Sequence, residues 1–332
     1  MTTTQTQTML AWAQTAYGGP DAVAAARVDV PAPRAGAVLV RVDATSLNSG
    51  DVRVMRGEPL LLRLVFGLRR PKTPTPGRDV AGTVVALGDG VADLAVGDRV
   101  VGELTGAGGL AEHVVAPVSE LARIPDGLDA VTAATLPIAG GTAWQALDAA
   151  AVASGHRVLV VGAGGGVGTF AVRLAALRGA EVDALCGARA EPVVADLGAA
   201  RTWDYREVGL ADLPQDAYDA VIDVAGAVLL RALQGLARDG GTVVLVNGGE
   251  HRVFGPLGRM ARGAVLSIGS RRRIRLLAAA VRPSLTAELA ALAAAGELVP
   301  HVERTWPLAE ARAALAHVDA GRTVGKVVVT AS

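Results

Sequence analysis

The stretch VLVVGAGGGVG, Val158 to Gly168, decides how the middle of this chain folds. Apolar residues typical of a buried strand lead directly into a glycine cluster, and a helical pattern follows to about Leu177. Glycines at a strand–helix turn let backbone N–H groups come close to a phosphate, which the positive end of the helix dipole attracts. The stretch therefore predicts a nucleotide site, although a glycine turn alone does not fix the chemistry.

The glycines fit the spacing A-x-G-x-x-G, with Ala163, Gly165 and Gly168 at the motif positions. In order, these positions provide a tight turn, close approach of the backbone to a pyrophosphate, and close packing of helix on strand. The N–H groups of Gly166 and Val167, where the helix begins, are expected to bind the phosphate. We predict a dinucleotide site. A glycine turn without a ligand and the glycine loop of a methyltransferase are the alternatives.

The end of the second strand indicates which dinucleotide is bound. Sites that prefer NAD place Asp or Glu there to bind the ribose 2′-OH, whereas the segment LCGARAE has Arg189 and no acid before Glu191. A guanidinium matches the geometry of a 2′-phosphate, so we predict NADPH as the cofactor. The missing acid also disfavours a methyltransferase. A solvated arginine at a helix start is the simpler interpretation of Arg189.

Composition excludes several classes of protein. The 332 residues include 32 Lys+Arg and 32 Asp+Glu, and this zero net charge argues against a nucleic-acid partner. The length suits two domains, and no run approaches the roughly 18 apolar residues of a membrane span. The first residues lack the features of a secretory signal. Cys186 is the only cysteine, which excludes an internal disulfide and favours a cytoplasmic location.

Two different sequence patterns predict two kinds of domain. The first third contains short β-like runs separated by glycine and proline, which predict a compact β-barrel. These runs are AVLVRVDATSLN (37–48), AGTVVALGDGV (81–91), VGDRVVGEL (96–104) and LAEHVVAP (110–117). From Arg157 onward strands alternate with helices, which predicts a parallel sheet. The predicted strands are 158–161, 181–186, 220–226, 242–249 and 264–270, and a final helix and strand follow within 307–329.

Seven segments in a fixed order carry a family resemblance. They are ATSLNSGDVRVMRG (44–57), GRDVAGTVVALGDGV (77–91), VGDRV (96–100), LPIAGGTAWQAL (136–147), the glycine cluster, LGAARTWDYRE (197–207) and GRTVGKVVV (321–329). Together they resemble the medium-chain dehydrogenase/reductase superfamily, specifically its zinc-free, quinone oxidoreductase-like (zeta-crystallin-like) branch. The match covers nearly the whole chain, so it is specific for the family but not for a substrate.

The resemblance implies an α/β protein with a GroES-like β-barrel catalytic domain and a doubly wound Rossmann sheet. It places the catalytic domain at residues 1–126, the Rossmann domain at 127–270, and a C-terminal return to the catalytic domain at 271–332. It also implies that NADPH lies in the cleft between the domains and that the protein is a homodimer.

Departures from the zinc-dependent relatives predict a site without metal. Those relatives have a Cys ligand where this chain has Asn48, and a His-Glu pair where it has Arg78 and Asp79. A structural zinc lobe needs four cysteines, and the five histidines show no ligand spacing.

Chemistry without a metal favours substrates that stabilise their own negative charge. Quinones and α,β-unsaturated carbonyls qualify, because conjugation spreads the charge that hydride addition creates onto an oxygen. By resemblance Asn48 lies beside the nicotinamide, where its amide can donate to that oxygen, and Asp51 orients Asn48. A turn residue and a helix cap are the structural interpretations of these two. The alternative functions are an alcohol or aldehyde dehydrogenase and a non-catalytic NADPH-binding protein.

Further cofactor contacts follow from matches to the family motifs. Thr142 is expected on the phosphate side of the nicotinamide, and Tyr205 near the adenosine phosphate. Asn247 and Gly248 end a strand, at the edge where ligands bind parallel sheets. Lys326 is expected to contact a phosphate. A purely structural role is the alternative for each of these residues.

Two basic, partly apolar stretches invite other functions. Residues 60–72, LLLRLVFGLRRPK, suggest a membrane or partner helix, but we expect a flap that lines the substrate cleft. Residues 271–275, RRRIR, suggest a polyanion site, but we expect a solvated loop or helix face. Besides a second copy of the chain, the predicted partner is thus a small-molecule substrate, with neither nucleic acid nor membrane.

Overall fold

The computed structural model describes residues 7–246 and 257–331, which form two β-sheet units and a separate hairpin. The strands are β1 (Thr8–Gln14), β2 (Val23–Asp29), β3 (Ala37–Leu47), β4 (Asp79–Leu87), β5 (Arg99–Glu103), β6 (His113–Pro117), β7 (Leu121–Arg123), β8 (Arg157–Val161), β9 (Glu181–Cys186), β10 (Ala199–Asp204), β11 (Tyr218–Asp223), β12 (Ala237–Leu245), β13 (Arg273–Leu276), β14 (Val302–Pro307) and β15 (Lys326–Thr330). The helices are α1 (Ser49–Arg56), α2 (Leu62–Phe66), α3 (Ala130–Ala134), α4 (Gly141–Ala149), α5 (Gly166–Leu177), α6 (Glu191–Asp196), α7 (Leu230–Leu236), α8 (Leu257–Ser267), α9 (Pro283–Ala294) and α10 (Ala311–Asp319).

The predicted parallel sheet is confirmed in the middle of the chain. Its strand order is β10-β9-β8-β11-β12-β13, and every pairing in it is parallel. Valines and isoleucines of its inner strands are fully buried, as expected when helices cover both faces. The chain leaves β8 in one direction towards β9 and returns on its other side at β11. The glycine turn after β8 therefore lies at the switch point, where doubly wound sheets bind ligands.

One predicted strand is wrong. Residues 264–270, which we expected to be the last strand of this sheet, lie mostly in α8, and the strand is formed instead by β13, which overlaps the basic run 271–275. Ser267 accounts for part of this, because its hydroxyl accepts the backbone N–H of Ile274 and donates to the Gly263 carbonyl. The expectation that 271–275 is a solvated loop or helix face is corrected as well. The parallel sheet extends beyond residue 270, the boundary expected for it.

The first third forms the expected antiparallel β-structure. Its sheet runs β14-β15-β3-β4-β5-β7, with β6 also paired to β3. Strand β3 is the centre of this unit, since it pairs with β4, β6 and β15. Its valines are buried in a cluster with those of β4 and β5, so the sheet closes on an apolar interior. A GroES-like domain beside a Rossmann-like sheet is the fold that the sequence predicted.

The C-terminal strand pairs with this first unit. Strand β15 pairs antiparallel with β3, and Val327 lies opposite Leu47. The register therefore brings Lys326, the first residue of β15, to Asn48, the residue after β3. Just before β15, Gly325 donates its N–H to the Gly164 carbonyl in the glycine turn at 2.9 Å. One strand thus joins the end of β3 to the nucleotide turn of the other sheet.

Candidate functional site

The glycine turn has the shape of a phosphate cradle. Gly162 has φ +83°, a left-handed conformation that favours glycine, so it makes the tight turn that we had assigned to Ala163. Ala163 itself is fully buried. Gly165 precedes α5 in an extended conformation, and a Cβ on Gly168 would lie 2.3 Å from the Gly162 carbonyl oxygen. Close packing of α5 against the turn therefore requires glycine at position 168.

A cavity of about 610 Å³ opens beside this turn. Gly162, Gly164 and Gly165 form one wall of it. Three arginines and an aromatic ring also line it: Arg189, Arg206, Arg322 and Tyr205. The Arg206 guanidinium lies 5.2 Å from the centre of the Tyr205 ring. The volume is typical of ligand cavities, and the cations suit an anionic ligand.

The cavity offers features that fit a dinucleotide phosphate. Thr323 lines it, and the hydroxyl of this residue is buried without a hydrogen-bond partner among the described residues. A buried hydroxyl without a partner is costly, which makes it available to a ligand. Arg189 lies after β9, and its side chain is 67% exposed. Tyr205 lies after β10 and is more than half exposed.

Arg189 already has partners within the chain. Its Nη2 donates to Glu303 Oε1 at 2.8 Å, and its Nη1 donates to the Arg322 carbonyl at 3.2 Å. Glu303 lies on β14, in the other sheet unit, so the ion pair joins the two units at the wall of the cavity.

A second polar cluster centres on Asn48. Lys326 Nζ donates to Asn48 Oδ1 at 2.6 Å and to the Leu47 carbonyl at 3.3 Å. Asn48 Nδ2 donates to Asp79 Oδ2 at 2.8 Å, and to the Ser46 carbonyl at 3.3 Å. The amide orientation is consistent, since its oxygen faces the ammonium and its nitrogen faces the carboxylate.

The polar cluster lies against the nucleotide turn. A Cβ on Gly166, the first residue of α5, would be 3.0 Å from Lys326 Cδ and 3.9 Å from its Nζ. Asp79 Oδ1 also accepts the backbone N–H of Ile138 at 3.1 Å, in the wide helical turn before α4. Asn48 is therefore held between the barrel sheet and the start of α5.

Burial governs the charges of this cluster. Asp79 has no exposed surface, and Lys326 is 2% exposed. Burial raises the pKa of Asp79, although the Lys326 ammonium and the Asn48 amide oppose the shift. Burial likewise lowers the pKa of Lys326, against the attraction of Asp79 and Asp51. Their Nζ–Oδ2 distance is 3.9 Å, so the two charges offset each other across the Asn48 amide.

Asp51 caps a helix. Its Oδ2 accepts the backbone N–H of Asn48 at 2.8 Å, and Asn48 is the residue that precedes α1. Burial raises the Asp51 pKa, while this hydrogen bond and the charges of Arg78 and Lys326 lower it. Asp51 fixes the backbone of Asn48 at the end of β3, and Lys326 and Asp79 bind its amide.

The other residues predicted to contact the cofactor lie in different places. Thr142 is the second residue of α4, is half-buried and is not part of the described cavity lining. Val167 is half-buried in the first turn of α5. Asn247 and Gly248 lie outside the described residues. Lys326 lies next to Gly166, where its contact with a phosphate stays a prediction.

The predicted flap lines a smaller cavity of about 200 Å³ in the barrel unit. Residues 60–72 contribute Val65, Phe66, Pro71 and Lys72 to it, and Asp51 also lines it. Among the described residues, no helix has both the length and the apolar character to cross a membrane. In the same part of the chain, no three His, Cys, Asp or Glu side chains converge as metal ligands.

The sequence reasoning missed three residues that the structure adds to the site. Arg206 and Arg322 stand in the segments WDYRE and GRTVGK, which we had singled out only for Tyr205 and Lys326. Glu303 has no local signal, because its contact with Arg189 joins residues that are 114 positions apart.

Comparison with known proteins agrees with this architecture. Residues 34–126 match the alcohol dehydrogenase GroES-like domain, and residues 197–329 match a model described as zinc-binding dehydrogenase. The chain is 36% identical to the chloroplast envelope quinone oxidoreductase homolog of Arabidopsis thaliana, over 71% of this chain and 74% of that protein. It is 33% identical to the NADPH-dependent alkenal/one oxidoreductase of the same plant, over 72% of this chain and 63% of that protein.

A solved structure gives the same result for the fold. The quinone oxidoreductase from Coxiella burnetii superimposes with a TM-score of 0.87 at 27% identity, covering 98% of this chain and all of that one. The shared domains, the relatives and the strand order agree over nearly the whole chain. The chain therefore belongs to the medium-chain dehydrogenase/reductase superfamily of nicotinamide-dependent oxidoreductases, among its quinone oxidoreductase-like members.

Proposed function

We propose that this protein is an NADPH-dependent reductase of quinones or α,β-unsaturated carbonyls that transfers hydride directly and without a metal. The observation that carries the proposal is the Lys326–Asn48–Asp79 cluster next to the start of α5. In zinc-dependent relatives the positions of Asn48 and Asp79 belong to the metal site. Here an ammonium group hydrogen-bonds to Asn48, and its positive charge disfavours a cation at the same place.

The cofactor assignment rests on the cavity beside the glycine turn. The N–H groups at the start of α5, from Gly165 to Gly168, would hold the pyrophosphate. Arg189, with Arg206 and Arg322 nearby, would bind the 2′-phosphate that distinguishes NADPH from NADH. When bound, the reduced nicotinamide supplies the hydride.

Asn48 is the group that we assign to the substrate oxygen. Of its two amide hydrogens, one makes a short bond to Asp79 and the other a longer bond of 3.3 Å to the Ser46 carbonyl. The second hydrogen is the one that an enolate oxygen would take over. The Lys326 ammonium on Asn48 Oδ1 polarises the amide and strengthens this donor. Solvent then protonates the enolate carbon, since Asp51 is engaged as a helix cap.

The assay compares acceptors and metals. Loss of NADPH absorbance is followed with a quinone, an enone and a saturated ketone, each with and without a metal chelator. We expect turnover with the quinone, the enone or both, none with the ketone, and no effect of the chelator. Reduction of the ketone that the chelator abolishes would establish the alcohol dehydrogenase alternative. Binding of NADPH without turnover of any acceptor would leave a non-catalytic binding protein.

The assembly that we propose is a homodimer. Among the described residues, strand β13 is an edge strand of the Rossmann-like sheet, and both Val265 on the neighbouring helix α8 and Ile268 just after that helix are well exposed. An open edge beside exposed apolar side chains is suited to pairing with a second copy. Light scattering coupled to size-exclusion chromatography tests this. We also infer a reducing compartment, because Cys186 is the only cysteine of the chain and no internal disulfide can form.

A further inference from the structure

Glu303 forms an ion pair with Arg189, the arginine that we assign to the 2′-phosphate. The Glu303 side chain is 15% exposed and its carboxylate accepts from Arg189 Nη2 at 2.8 Å, whereas the Arg189 side chain is 67% exposed at the cavity wall. Arg189 is further tied to the Arg322 carbonyl at 3.2 Å. The guanidinium is therefore neutralised by a group of the chain itself, one that belongs to the other sheet unit.

The Glu303 carboxylate is held in place from its other side. Its Oε2 lies 2.9 Å from Nε2 of His317 on α10, so each oxygen has a partner. Burial tends to raise the Glu303 pKa, but the hydrogen bonds from His317 and Arg189 outweigh it and lower the pKa. The carboxylate is thus ionised at neutral pH, and the contact with His317 helps to hold it beside Arg189.

We propose that Glu303 is a selectivity-determining residue that competes with the cofactor's 2′-phosphate for Arg189. A phosphate that binds Arg189 has to displace the Glu303 carboxylate from the guanidinium or share the guanidinium with it. The phosphate is also repelled by the negative charge of this carboxylate. NADH has no 2′-phosphate and escapes both effects. Glu303 therefore lowers the affinity for NADPH but not that for NADH, and so reduces the preference for NADPH. This inference rests on the proposed use of Arg189 for the 2′-phosphate.

Cofactor titrations without any acceptor test this inference. Glu303→Gln keeps the size of the side chain and removes its charge, so we expect the Kd for NADPH to fall about fivefold. The Kd for NADH should change by less than twofold. Glu288→Gln is the matched control, because Glu288 is exposed on α9 and forms no ion pair among the described residues. This variant should leave both constants unchanged.

A double variant shows whether Glu303 acts through Arg189. In an Arg189→Ala background, Glu303→Gln should no longer improve NADPH binding, which is the signature of coupled residues. Melting temperatures establish that the variants are folded. Glu303→Ala provides a second substitution, with the same expected direction, if Glu303→Gln does not fold.

The outcomes separate this inference from the cofactor assignment. If Arg189→Ala selectively weakens NADPH but Glu303→Gln leaves NADPH binding unchanged or weaker, Glu303 does not compete and only this inference is refuted. If NADPH and NADH bind equally to the unaltered protein and Arg189→Ala affects neither, the NADP assignment is wrong and the inference falls with it.

Discussion

Replacing Lys326 by Met perturbs the cluster at the centre of the proposed site. The chain has only two lysines, and Lys326 is 2% exposed, with its ammonium on Asn48 Oδ1 and the Leu47 carbonyl. Met has a similar length but neither charge nor donor. The substitution leaves Asp79, which has no exposed surface, without its cation. Breaking one side of a buried ion pair typically costs about 3–5 kcal/mol, and we expect a loss of that size at alkaline pH.

The pH dependence of this loss follows from the raised pKa of Asp79. An unfolded Asp has a pKa near 3.9, so between about pH 4 and the folded pKa the native state binds more protons than the unfolded state. Stability therefore falls as the pH rises through this window. In Lys326→Met the window extends to higher pH, because the charge of Lys326 no longer lowers the pKa.

Urea unfolding between about pH 5 and pH 8 measures the effect. As the pH rises, the unfolding free energy of Lys326→Met should fall by up to about 1.4 kcal/mol per pH unit relative to that of the double variant Asp79→Asn/Lys326→Met. The double variant should also be at least about 1 kcal/mol more stable than the single one at the alkaline end. Lys72→Met is the matched control on an exposed lysine, with an expected change below about 0.5 kcal/mol. A loss below about 1 kcal/mol for Lys326→Met, or curves that run parallel in pH, would refute this reasoning.

Three further substitutions test the separate parts of the site. Arg189→Ala should weaken NADPH binding about tenfold and NADH binding only slightly. The control is Arg238→Ala, which replaces an exposed arginine paired with Asp219 and should affect the binding of neither cofactor. Equal losses of affinity for both cofactors in Arg189→Ala would contradict the assignment. Asn48→Ala should lower kcat about 10- to 100-fold with a small change in the Kd for NADPH, and an unchanged kcat removes Asn48 from the mechanism. Gly168→Ala should lower the free energy of unfolding by at least about 2 kcal/mol and disrupt the cofactor site, because the added Cβ would meet the turn. Gly141→Ala, whose Cβ would have open space around it, should be neutral or slightly stabilising. Equal unfolding midpoints for the two variants would count against the packing argument.

The nucleotide half of the fold could be read from the sequence because its signals are local. The apolar run of β8, the glycine turn and α5 follow one another within the stretch 158–177, and the strand–helix alternation continues from there. The last strand could not be read in this way. Strand β13 lies at the edge of the sheet and is rich in arginine, so it lacks the apolar run by which the inner strands are recognised.

The site was only partly predictable, because its contacts are between distant parts of the chain. Asn48, Arg189 and Tyr205 could be selected from motif positions. That Lys326 binds the Asn48 amide depends on the register of β15 on β3, which joins residues 278 positions apart. Glu303 was missed for the same reason. Local patterns indicated which residues are polar and where elements end, but not which side chains would meet.

Deuterium transfer tests metal-free hydride delivery to a conjugated acceptor most directly. NADPH carrying deuterium at the transferred C4 position is incubated with the protein, an enone and a metal chelator, and the product is analysed by NMR and mass spectrometry. We predict a saturated ketone with deuterium at the carbon β to the carbonyl and a proton from water at the α carbon. An allylic alcohol with deuterium on the former carbonyl carbon, or reduction that stops when the chelator is added, would contradict the proposed reaction.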